Sequence, residues 1–179
     1  MQELSLNLLD IAQNSIKAGA TLIEITLFID NNSERLTMSV KDNGCGMTED
    51  ILRRIADPFF TTRTTRKVGL GIPFLKMAAE LTGGNLVIES EVGVGTEISA
   101  FFSLGHIDMM PIGDMASTIS ALMQMNPEID FIYSVKNDAD EFVADSREIK
   151  EILEGVPIST PSVAVFLREF IEENQKPIL

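Results

Sequence analysis

Hydrophobic and polar positions follow two different periods along the first hundred residues. Residues 3–18 repeat apolar side chains every three or four positions, which predicts an amphipathic helix. Residues 22–29 and 36–40 alternate at every second position, which predicts two strands. The Asn-Asn-Ser sequence at 31–33 is typical of a turn, so we expect these strands to form a hairpin.

A second group of elements follows. Thr48 precedes two acidic residues and predicts the start of a short helix. Residues 57–69 have neither period and are predicted to form a mobile loop. A helix is predicted at 70–82, and a second hairpin joins 86–90 to 96–102. The inward-facing side chains of this helix are predicted to be Leu75, Ala78, Ala79 and Leu81.

The remaining residues, 105–179, show shorter periodic segments without a repeat. The predicted elements are a helix at 113–125, a short hairpin of strands at 129–136 and 141–144, and helices at 146–154 and 161–173. Grouped rather than regularly alternating helices and strands indicate the α+β class. We expect a two-layer α/β sandwich with a mixed, mostly antiparallel sheet in residues 1–104. The α/β extension at 105–179 either completes that domain or is appended to it.

Composition and charge narrow the class of protein. The 179 residues are 45% hydrophobic and 23% charged, which indicates a folded globular chain. The net charge of −13 argues against binding to nucleic acid. Residues 1–104 hold 13 acidic and 9 basic residues, whereas 105–179 hold 14 and 5, so most of the excess acidity lies in the second segment.

Other features bear on location and metal chemistry. The sequence has no long apolar run and no signal-peptide pattern, so we expect a cytoplasmic protein without a membrane span. One cysteine, Cys45, and one histidine, His106, are too few for a disulfide or for a metal cluster of these residues. Cys45 is expected to be a small packing residue rather than a reactive thiol.

Three segments carry candidate chemistry. Asp42 follows a predicted strand, and Gly44 and Gly46 follow it, so a carboxylate acceptor and bare backbone could contact an adenine base. An ordinary strand-ending turn is the alternative. Asp10 and Asn14, one helical turn apart, offer oxygens suited to Mg²⁺, although a solvated helix face has the same pattern.

The third segment is basic and rich in glycine. Gly69 and Gly71 precede a predicted helix, whose first N–H groups and dipole favour phosphate. Arg63, Arg66 and Lys67 lie just before them and form the most basic stretch of an acidic chain. Each of the three segments is a weak signal alone, and their combination indicates a nucleotide site.

Together with two more motifs, these segments resemble the GHKL superfamily, which is named for gyrase, the heat-shock chaperone, histidine kinases and MutL. The five matching motifs lie in order at 8–17, 42–46, 58–62, 69–72 and 93–96. The likeness spans about residues 3–104 and is nearest to the catalytic domain of sensor histidine kinases. It implies a Bergerat-type ATP-binding fold.

The resemblance also implies roles for individual residues. Asn14 would be the Mg²⁺ ligand, Asp42 the adenine anchor, and Thr96 a water-assisted adenine contact, while 60–71 would form the ATP lid. The positions that it assigns to ATP contact are Asn14, Lys17, Asp42, Gly44, Gly46, Met47, Phe59, Thr61, Thr62, Arg66, Lys67, Gly69, Leu70, Gly71, Ile72 and Thr96.

The sequence departs from the family pattern at two points. Asp10 stands where hydrolysing members carry a glutamate base, and its side chain is one methylene shorter, which puts base catalysis in doubt. The predicted helix begins at residue 3, so a dimerising domain with a phospho-accepting histidine is not expected. His106 lacks that setting and is interpreted as a surface or inter-segment contact.

These observations leave three functions open. The first is a stand-alone Mg-ATP-binding kinase subunit that phosphorylates or regulates an unidentified protein partner. The second is a non-catalytic module that senses ATP and presents an interaction surface. The third, an ATPase clamp similar to MutL or gyrase, is disfavoured because the glutamate base and a downstream transducer domain are missing.

Overall fold

The computed structural model describes residues 3–56 and 71–179 of the chain. Within these ranges the predicted helices and strands are all present, with ends that differ from the predicted ones by at most two residues. In chain order they are α1 (Leu4–Lys17), β1 (Leu22–Asp30), β2 (Arg35–Asp42), α2 (Glu49–Arg54), α3 (Gly71–Leu81), β3 (Asn85–Glu91), β4 (Gly95–Ser103), α4 (Met115–Met125), β5 (Asp130–Lys136), β6 (Glu141–Asp145), α5 (Ser146–Ile152) and α6 (Pro161–Gln175).

The strands form a six-stranded sheet in the order β3-β4-β2-β1-β5-β6. The three predicted hairpins are confirmed, since β1 with β2, β3 with β4 and β5 with β6 pair antiparallel. β2 with β4 is also antiparallel, whereas β1 with β5 is parallel. The sheet is therefore mixed and mostly antiparallel, as predicted.

The core lies between one face of the sheet and a layer of helices. Alternate residues of β1, including Ile23, Ile25 and Leu27, are fully buried, while the residues between them are half-buried. α1 packs beside α3 and α4, and α4 packs beside α6, so these four helices cover the same face. This arrangement confirms the two-layer sandwich of the α+β class.

The segment after β4 contacts the start of the chain. The carbonyl of Pro111 accepts a hydrogen bond from the backbone N–H of Leu4 (3.1 Å), and that of Ile112 accepts one from Ser5 (2.9 Å). These bonds satisfy two N–H groups that the first turn of a helix leaves unpaired. Because β5 also pairs with β1, residues 105–179 hold both the first helix and the first strand.

One predicted core position is wrong. Leu81, expected to face inward, is 55% exposed. Seven residues make almost two full turns of a helix, so Thr82 and not Leu81 returns to the face of Leu75. Thr82 is buried, and its hydroxyl donates to the carbonyl of Ala79 over 2.9 Å.

The described helices also bear on the membrane question. Within residues 3–56 and 71–179, none has the length and apolar content that a bilayer span requires.

Candidate functional site

Asp42 and Thr96 lie directly opposite each other at one end of β2 and β4. Asp42 is only 9% exposed. One of its oxygens, Oδ2, accepts from the hydroxyl of Ser15 (2.6 Å), and Oδ1 accepts from the backbone N–H of Gly44 (2.9 Å). A carboxylate oxygen can accept more than one hydrogen bond, so the group is held in place and can still accept another donor.

Asn43 fixes the turn that follows Asp42. Its side-chain oxygen accepts from the backbone N–H groups of Thr21 (2.8 Å) and Leu22 (2.9 Å), and its amide donates to the Thr21 hydroxyl (2.9 Å). Asn43 therefore ties the end of β2 to the start of β1. This residue has a structural role between the acidic and glycine positions of the motif.

The glycines allow the backbone to approach its neighbours closely. A Cβ atom on Gly44 would lie 2.9 Å from the Cβ of Ala18. Gly46 has φ +66°, and a Cβ there would overlap the carbonyl oxygen of Glu91. The loop after β2 is consequently packed between the end of α1 and the β3–β4 turn, and larger residues at either position would displace it.

Cys45 links the same elements through its backbone. Its N–H donates to the carbonyl of Ala18 (2.9 Å), and its carbonyl accepts from the N–H of Gly93 (2.8 Å). The side chain is exposed. The prediction that Cys45 is a packing residue is therefore wrong, because the backbone of this tight loop makes the contacts and directs the side chain outward.

Ser90 joins three parts of the site. Its hydroxyl accepts from the backbone N–H of Met47 (2.8 Å) and lies 2.9 Å from the hydroxyl of Thr96 and 3.0 Å from the carbonyl of Gly95. Sequence reasoning missed both Ser90 and the role of Ser15. A serine on the buried side of α1 was the available signal, because a buried hydroxyl requires a partner.

α1 carries three of the predicted site residues. Asp10 and Lys17 are exposed and Asn14 is half-buried, with Asp10 one helical turn before Asn14. α3 begins at Gly71, where an added Cβ would lie 3.5 Å from Oδ2 of Asp10. Gly71, the first described residue of α3, thus lies beside Asp10.

Several predicted site residues belong to the segment 57–70. The loop expected at 57–69 and most of the proposed lid lie outside the described residues, including Phe59, Thr61, Thr62, Arg66, Lys67, Gly69 and Leu70. Ile72 belongs to the described helix α3 and is 6% exposed, within the core.

The oxygens of Asp10 and Asn14 fit a magnesium ion better than a metal held only by protein. Among residues 3–56 and 71–179, no three histidine, cysteine or acidic side chains are grouped as metal ligands. Mg²⁺ commonly uses one or two protein oxygens and takes its other ligands from phosphates and water. A carboxylate and an amide one turn apart match that donor set.

His106 lies at the other end of the sheet. Asp42 pairs with Thr96, whereas Arg35, seven residues earlier on β2, pairs with Ser103 near His106. Seven residues of strand span roughly 23 Å. The Nδ1 atom of His106 accepts from the N–H of Asp108 (3.1 Å), a local contact, as expected for a surface residue.

A cleft of about 370 Å³ lies behind the site, on the open face of the sheet. It shares Asp42, Asn43, Ser90, Gly95 and Thr96 with the site. Asp42 and Thr96 lie two residues from the paired, buried Val40 and Ile98, and therefore on the same face of the sheet, which the helices cover. The charged residues that line this cleft otherwise are Glu24, Lys41, Glu89, Glu91 and Glu97. Four carboxylates against one ammonium would repel a polyphosphate, so we place the candidate site on the helix face.

Comparison with known proteins gives a family match. The model of the family described as Histidine kinase-, DNA gyrase B-, and HSP90-like ATPase matches residues 1–106, which is more than half of the chain.

Curated relatives are sensor proteins and kinases. A putative sensor protein of Shewanella frigidimarina is 38% identical over 111 residues, covering 60% of this chain and 17% of the relative. Sporulation kinase E of Bacillus subtilis is 33% identical over 96 residues, which are 54% of this chain and 13% of the relative. Sensor protein SrrB of Staphylococcus aureus is 33% identical over 101 residues, which are 54% of this chain and 17% of the relative. The chain spans less than a fifth of the length of these relatives.

Solved structures share the fold at low identity. The ATPase domain of Aquifex aeolicus MutL, complexed with ADP, matches 86% of this chain and 70% of its own, with a TM-score of 0.51 and 15% identity. The N-terminal domain of a DNA repair protein matches 80% of this chain over 52% of its own length, with a TM-score of 0.55 and 13% sequence identity. Since the larger match covers more than residues 1–106, the structural likeness extends into the segment after β4.

Proposed function

Because the chain belongs to the histidine kinase-, DNA gyrase B- and HSP90-like ATPase family, we propose that it binds Mg-ATP and phosphorylates, or regulates by binding, a separate protein partner. The family match and the kinase relatives make residues 1–106 an ATP-binding domain of the kinase-like ATPase type. The magnesium, the partner and the transfer step are the parts that we propose.

The buried carboxylate of Asp42 is the observation that supports a contact with the adenine base. It accepts from Ser15 and Gly44 and stands opposite Thr96, at the open end of two paired strands. The exocyclic amine of adenine is a donor that such a carboxylate can accept. The bare backbone at Gly44 and Gly46 would lie along the edge of the base.

The polar face of α1 supports the proposal for the phosphates. Asp10, Asn14 and Lys17 follow one another along the helix, and α3 begins at Gly71 beside Asp10. We assign the ammonium of Lys17 and the N–H groups at the start of α3 to the phosphates, since both favour negative charge. Asn14, with its amide oxygen, would hold Mg²⁺ against them.

The lid residues complete the proposed contacts. The resemblance assigns to the nucleotide Thr61, Thr62, Arg66, Lys67, Gly69 and Leu70 within the lid, and Phe59 and Ile72 on either side of it. We keep this assignment as a proposal, with Arg66 and Lys67 supplying positive charge to the triphosphate.

Transfer to a partner is proposed in preference to hydrolysis. The carboxylate of Asp10 is one methylene shorter than a glutamate and would reach less far toward an attacking water. His106 lies roughly 23 Å along the sheet from Asp42, at the far end of β4. We therefore propose that the phospho-acceptor belongs to another protein, in the cytoplasm.

An ATP-sensing module is the alternative, and one observation favours it. The first N–H groups of α1 are bonded to the carbonyls of Pro111 and Ile112, so the proposed phosphate-binding helix is attached directly to the segment after β4. A nucleotide that shifts α1 would therefore also shift the backbone of residues 105–179 that is bonded to it.

We also propose that residues 105–179 complete the domain. A chain that ends at Leu104 should then aggregate, because β1 and α1 lose the segments that pair with them.

Incubation of the full chain with γ-labelled ATP and Mg²⁺ tests the two functions. Nucleotide binding, phosphate release and label on protein are followed in the same samples, with and without proteins recovered in complex with it. Binding followed by label on a partner supports the kinase, whereas binding without any label supports the sensor. Absence of ATP binding would contradict both.

A further inference from the structure

β6 forms one edge of the sheet and pairs with β5 on its inner side. Within residues 3–56 and 71–179, no strand pairs with its outer side. An edge strand leaves alternate N–H and C=O groups free for another strand, and proteins often block such edges with lysine, proline or a bulge. The sequence of β6, Glu-Phe-Val-Ala-Asp, has neither residue, and its register with β5 is continuous. Its outer side can therefore accept a further strand.

Three phenylalanines form a row from this edge onto α6. Phe142 of β6 lies edge-on against Phe170, with ring centroids 5.5 Å apart, and Phe170 stacks with Phe166 at 6.0 Å. Phe166 is 58% exposed. On its other side α6 packs against α4, where the Ser120 hydroxyl donates to the carbonyl of Ala164 over 2.7 Å. The phenylalanine row therefore lies on the flank of α6 that faces the β6 edge, where an added strand would cover it.

The charges beside the phenylalanine row are negative. Glu169 and Glu173 lie three residues after Phe166 and Phe170, which places them next to the row on the surface of α6. No ion pair among residues 3–56 and 71–179 includes either glutamate. Arg168 lies on the α4 side instead, where it interacts electrostatically with Asp114. A segment that covers the row would therefore be attracted if it is basic.

The open face of β6 has the same sign of charge. Glu141, Val143 and Asp145 alternate with the residues of the helix face and so lie on the open face. Asp145 is paired with Arg147. The cross-strand partner of Glu141 is Lys136, whose ammonium lies over the ring of Phe28 at 5.4 Å. Glu141 is therefore left for a basic side chain on an added strand.

A second copy of this chain fits the edge poorly. Two β6 strands that pair antiparallel about Val143 would bring Glu141 of each copy opposite Asp145 of the other, and like charges in that position are destabilising. Residues 105–179 also hold 14 acidic and 5 basic residues, so two such segments repel each other. The charges favour a different protein.

We propose that the outer edge of β6 is a docking site for a protein partner, which adds an extended segment of alternating apolar and basic residues as a further strand. Its apolar side chains cover the phenylalanine row, and its basic side chains lie beside Glu141 on the open face. Glu169 and Glu173 attract the same segment from the helix layer. This inference goes beyond the proposed ATP binding and does not rest on it.

The probe is the fluorescein-labelled peptide Lys-Val-Lys-Val-Lys-Val-Lys, and its fluorescence anisotropy is followed during titration with the full chain. We expect saturable binding in the micromolar range. One matched peptide carries glutamate in place of each lysine. A second is methylated at every internal backbone nitrogen, so it keeps the side chains but cannot donate the hydrogen bonds of a strand. Neither matched peptide should bind.

Variants of the chain locate the bound peptide. Phe166→Ala should weaken binding of the lysine peptide about tenfold, because it removes the exposed ring. Leu81→Ala, 55% exposed on α3 at the other side of the helix layer, should have no effect. Glu141→Gln should weaken binding about threefold, the effect of one cross-strand ion pair. Glu24→Gln, on the open face of the inner strand β1, changes the net charge equally and is its control.

Losses in Phe166→Ala and Glu141→Gln that their controls do not show support the inference. Absence of saturable binding overturns it, as do equal losses in variants and controls or equal binding of either matched peptide. Sedimentation of the protein alone tests the other occupant. A concentration-dependent dimer that Phe166→Ala dissociates would show that a second copy covers the edge, which also overturns the inference.

ADP titration of the same variants separates this inference from the proposed function. β6 lies three strand spacings from β2, about 14 Å, so ADP affinity should be the same in Phe166→Ala as in wild-type protein. Peptide binding by a wild-type protein that does not bind ADP would support the docking site and contradict the proposed function. ADP binding without peptide binding would overturn the docking site alone.

Discussion

The hydroxyl of Ser15 donates to Oδ2 of Asp42 over 2.6 Å, and both side chains are buried. This bond joins α1 to the end of β2, so the helix that bears the proposed magnesium ligand also orients the proposed adenine acceptor. This one hydrogen bond therefore connects the two ends of the proposed nucleotide site.

Ser15→Ala should weaken ADP binding by about five- to tenfold, because the carboxylate loses a donor that fixes its orientation. Titration calorimetry with ADP measures this effect. Ser5→Ala removes a buried serine near the other end of α1 and should leave the affinity unchanged. Equal losses in both variants would indicate a general effect on the helix rather than a role at Asp42.

Asn14→Ala should reduce the gain in ATP affinity that Mg²⁺ provides. The amide oxygen is the proposed protein ligand, and its removal leaves the ion to phosphates, water and Asp10. The measurement is ATP affinity with Mg²⁺ and with chelator, in the variant and in the neighbouring Gln13→Ala. If the Mg²⁺-dependent gain is the same in both, Asn14 does not bind the ion.

Gly46→Ala and Gly19→Ala separate backbone strain from close contact. Both glycines have positive φ, +66° and +74°, so each substitution should cost about 1 kcal/mol of folding stability from strain. A Cβ at Gly19 meets nothing within 4 Å, whereas one at Gly46 overlaps the carbonyl of Glu91. Urea unfolding should therefore show a larger loss for Gly46→Ala, together with weaker ADP binding. Equal losses would contradict the contact.

Local sequence patterns predicted much of the fold and brought together part of the candidate site. The periods of apolar residues located the elements because buried positions repeat every 3.6 residues in a helix and every second residue in a strand. Asp42 and the glycines after it could be grouped as candidate site residues because one short loop carries them all. Their tight backbone contacts, such as Gly46 against Glu91, require glycine and so appear in the sequence itself.

Contacts between distant segments could not be predicted. Ser90 reaches Met47, 43 residues earlier, only because β3 and β4 bring the hairpin back to the loop after β2. The parallel pairing of β5 with β1 depends in the same way on the path of the chain between them. The prediction that Cys45 packs inside was wrong because its small apolar side chain suggested burial. The backbone hydrogen bonds of its loop instead direct this side chain toward solvent.

Asp114→Ala should destabilise the protein by about 1 kcal/mol near pH 7, because Asp114 caps α4. Its side chain accepts from the N–H of Ser117 over 2.9 Å, and hydrogen bonds from Ser117 hold the pKa of Asp114 below its usual range. A carboxyl with a lowered folded pKa stabilises fully above its unfolded pKa, near 3.9, and loses that effect as the pH falls through the folded value.

The comparison of wild-type protein and Asp114→Ala by urea unfolding from pH 7 down to the acid range measures this cap. Their stability difference should be constant above about pH 5 and shrink at lower pH. Glu128→Ala, an exposed acidic residue beyond the end of α4, is the matched control. A difference that persists unchanged in acid would contradict the role of the carboxylate.

Calorimetric titration of wild-type protein and Asp42→Asn with ADP tests the central claim most directly. Asparagine has nearly the same shape, but its amide group donates hydrogen bonds and lacks the charge that accepts from Ser15, Gly44 and the adenine amine. We predict that wild-type protein binds ADP and that Asp42→Asn binds it about a hundredfold more weakly, the effect of losing a buried charged hydrogen bond. Equal affinity in a folded Asp42→Asn variant would show that the nucleotide site lies elsewhere.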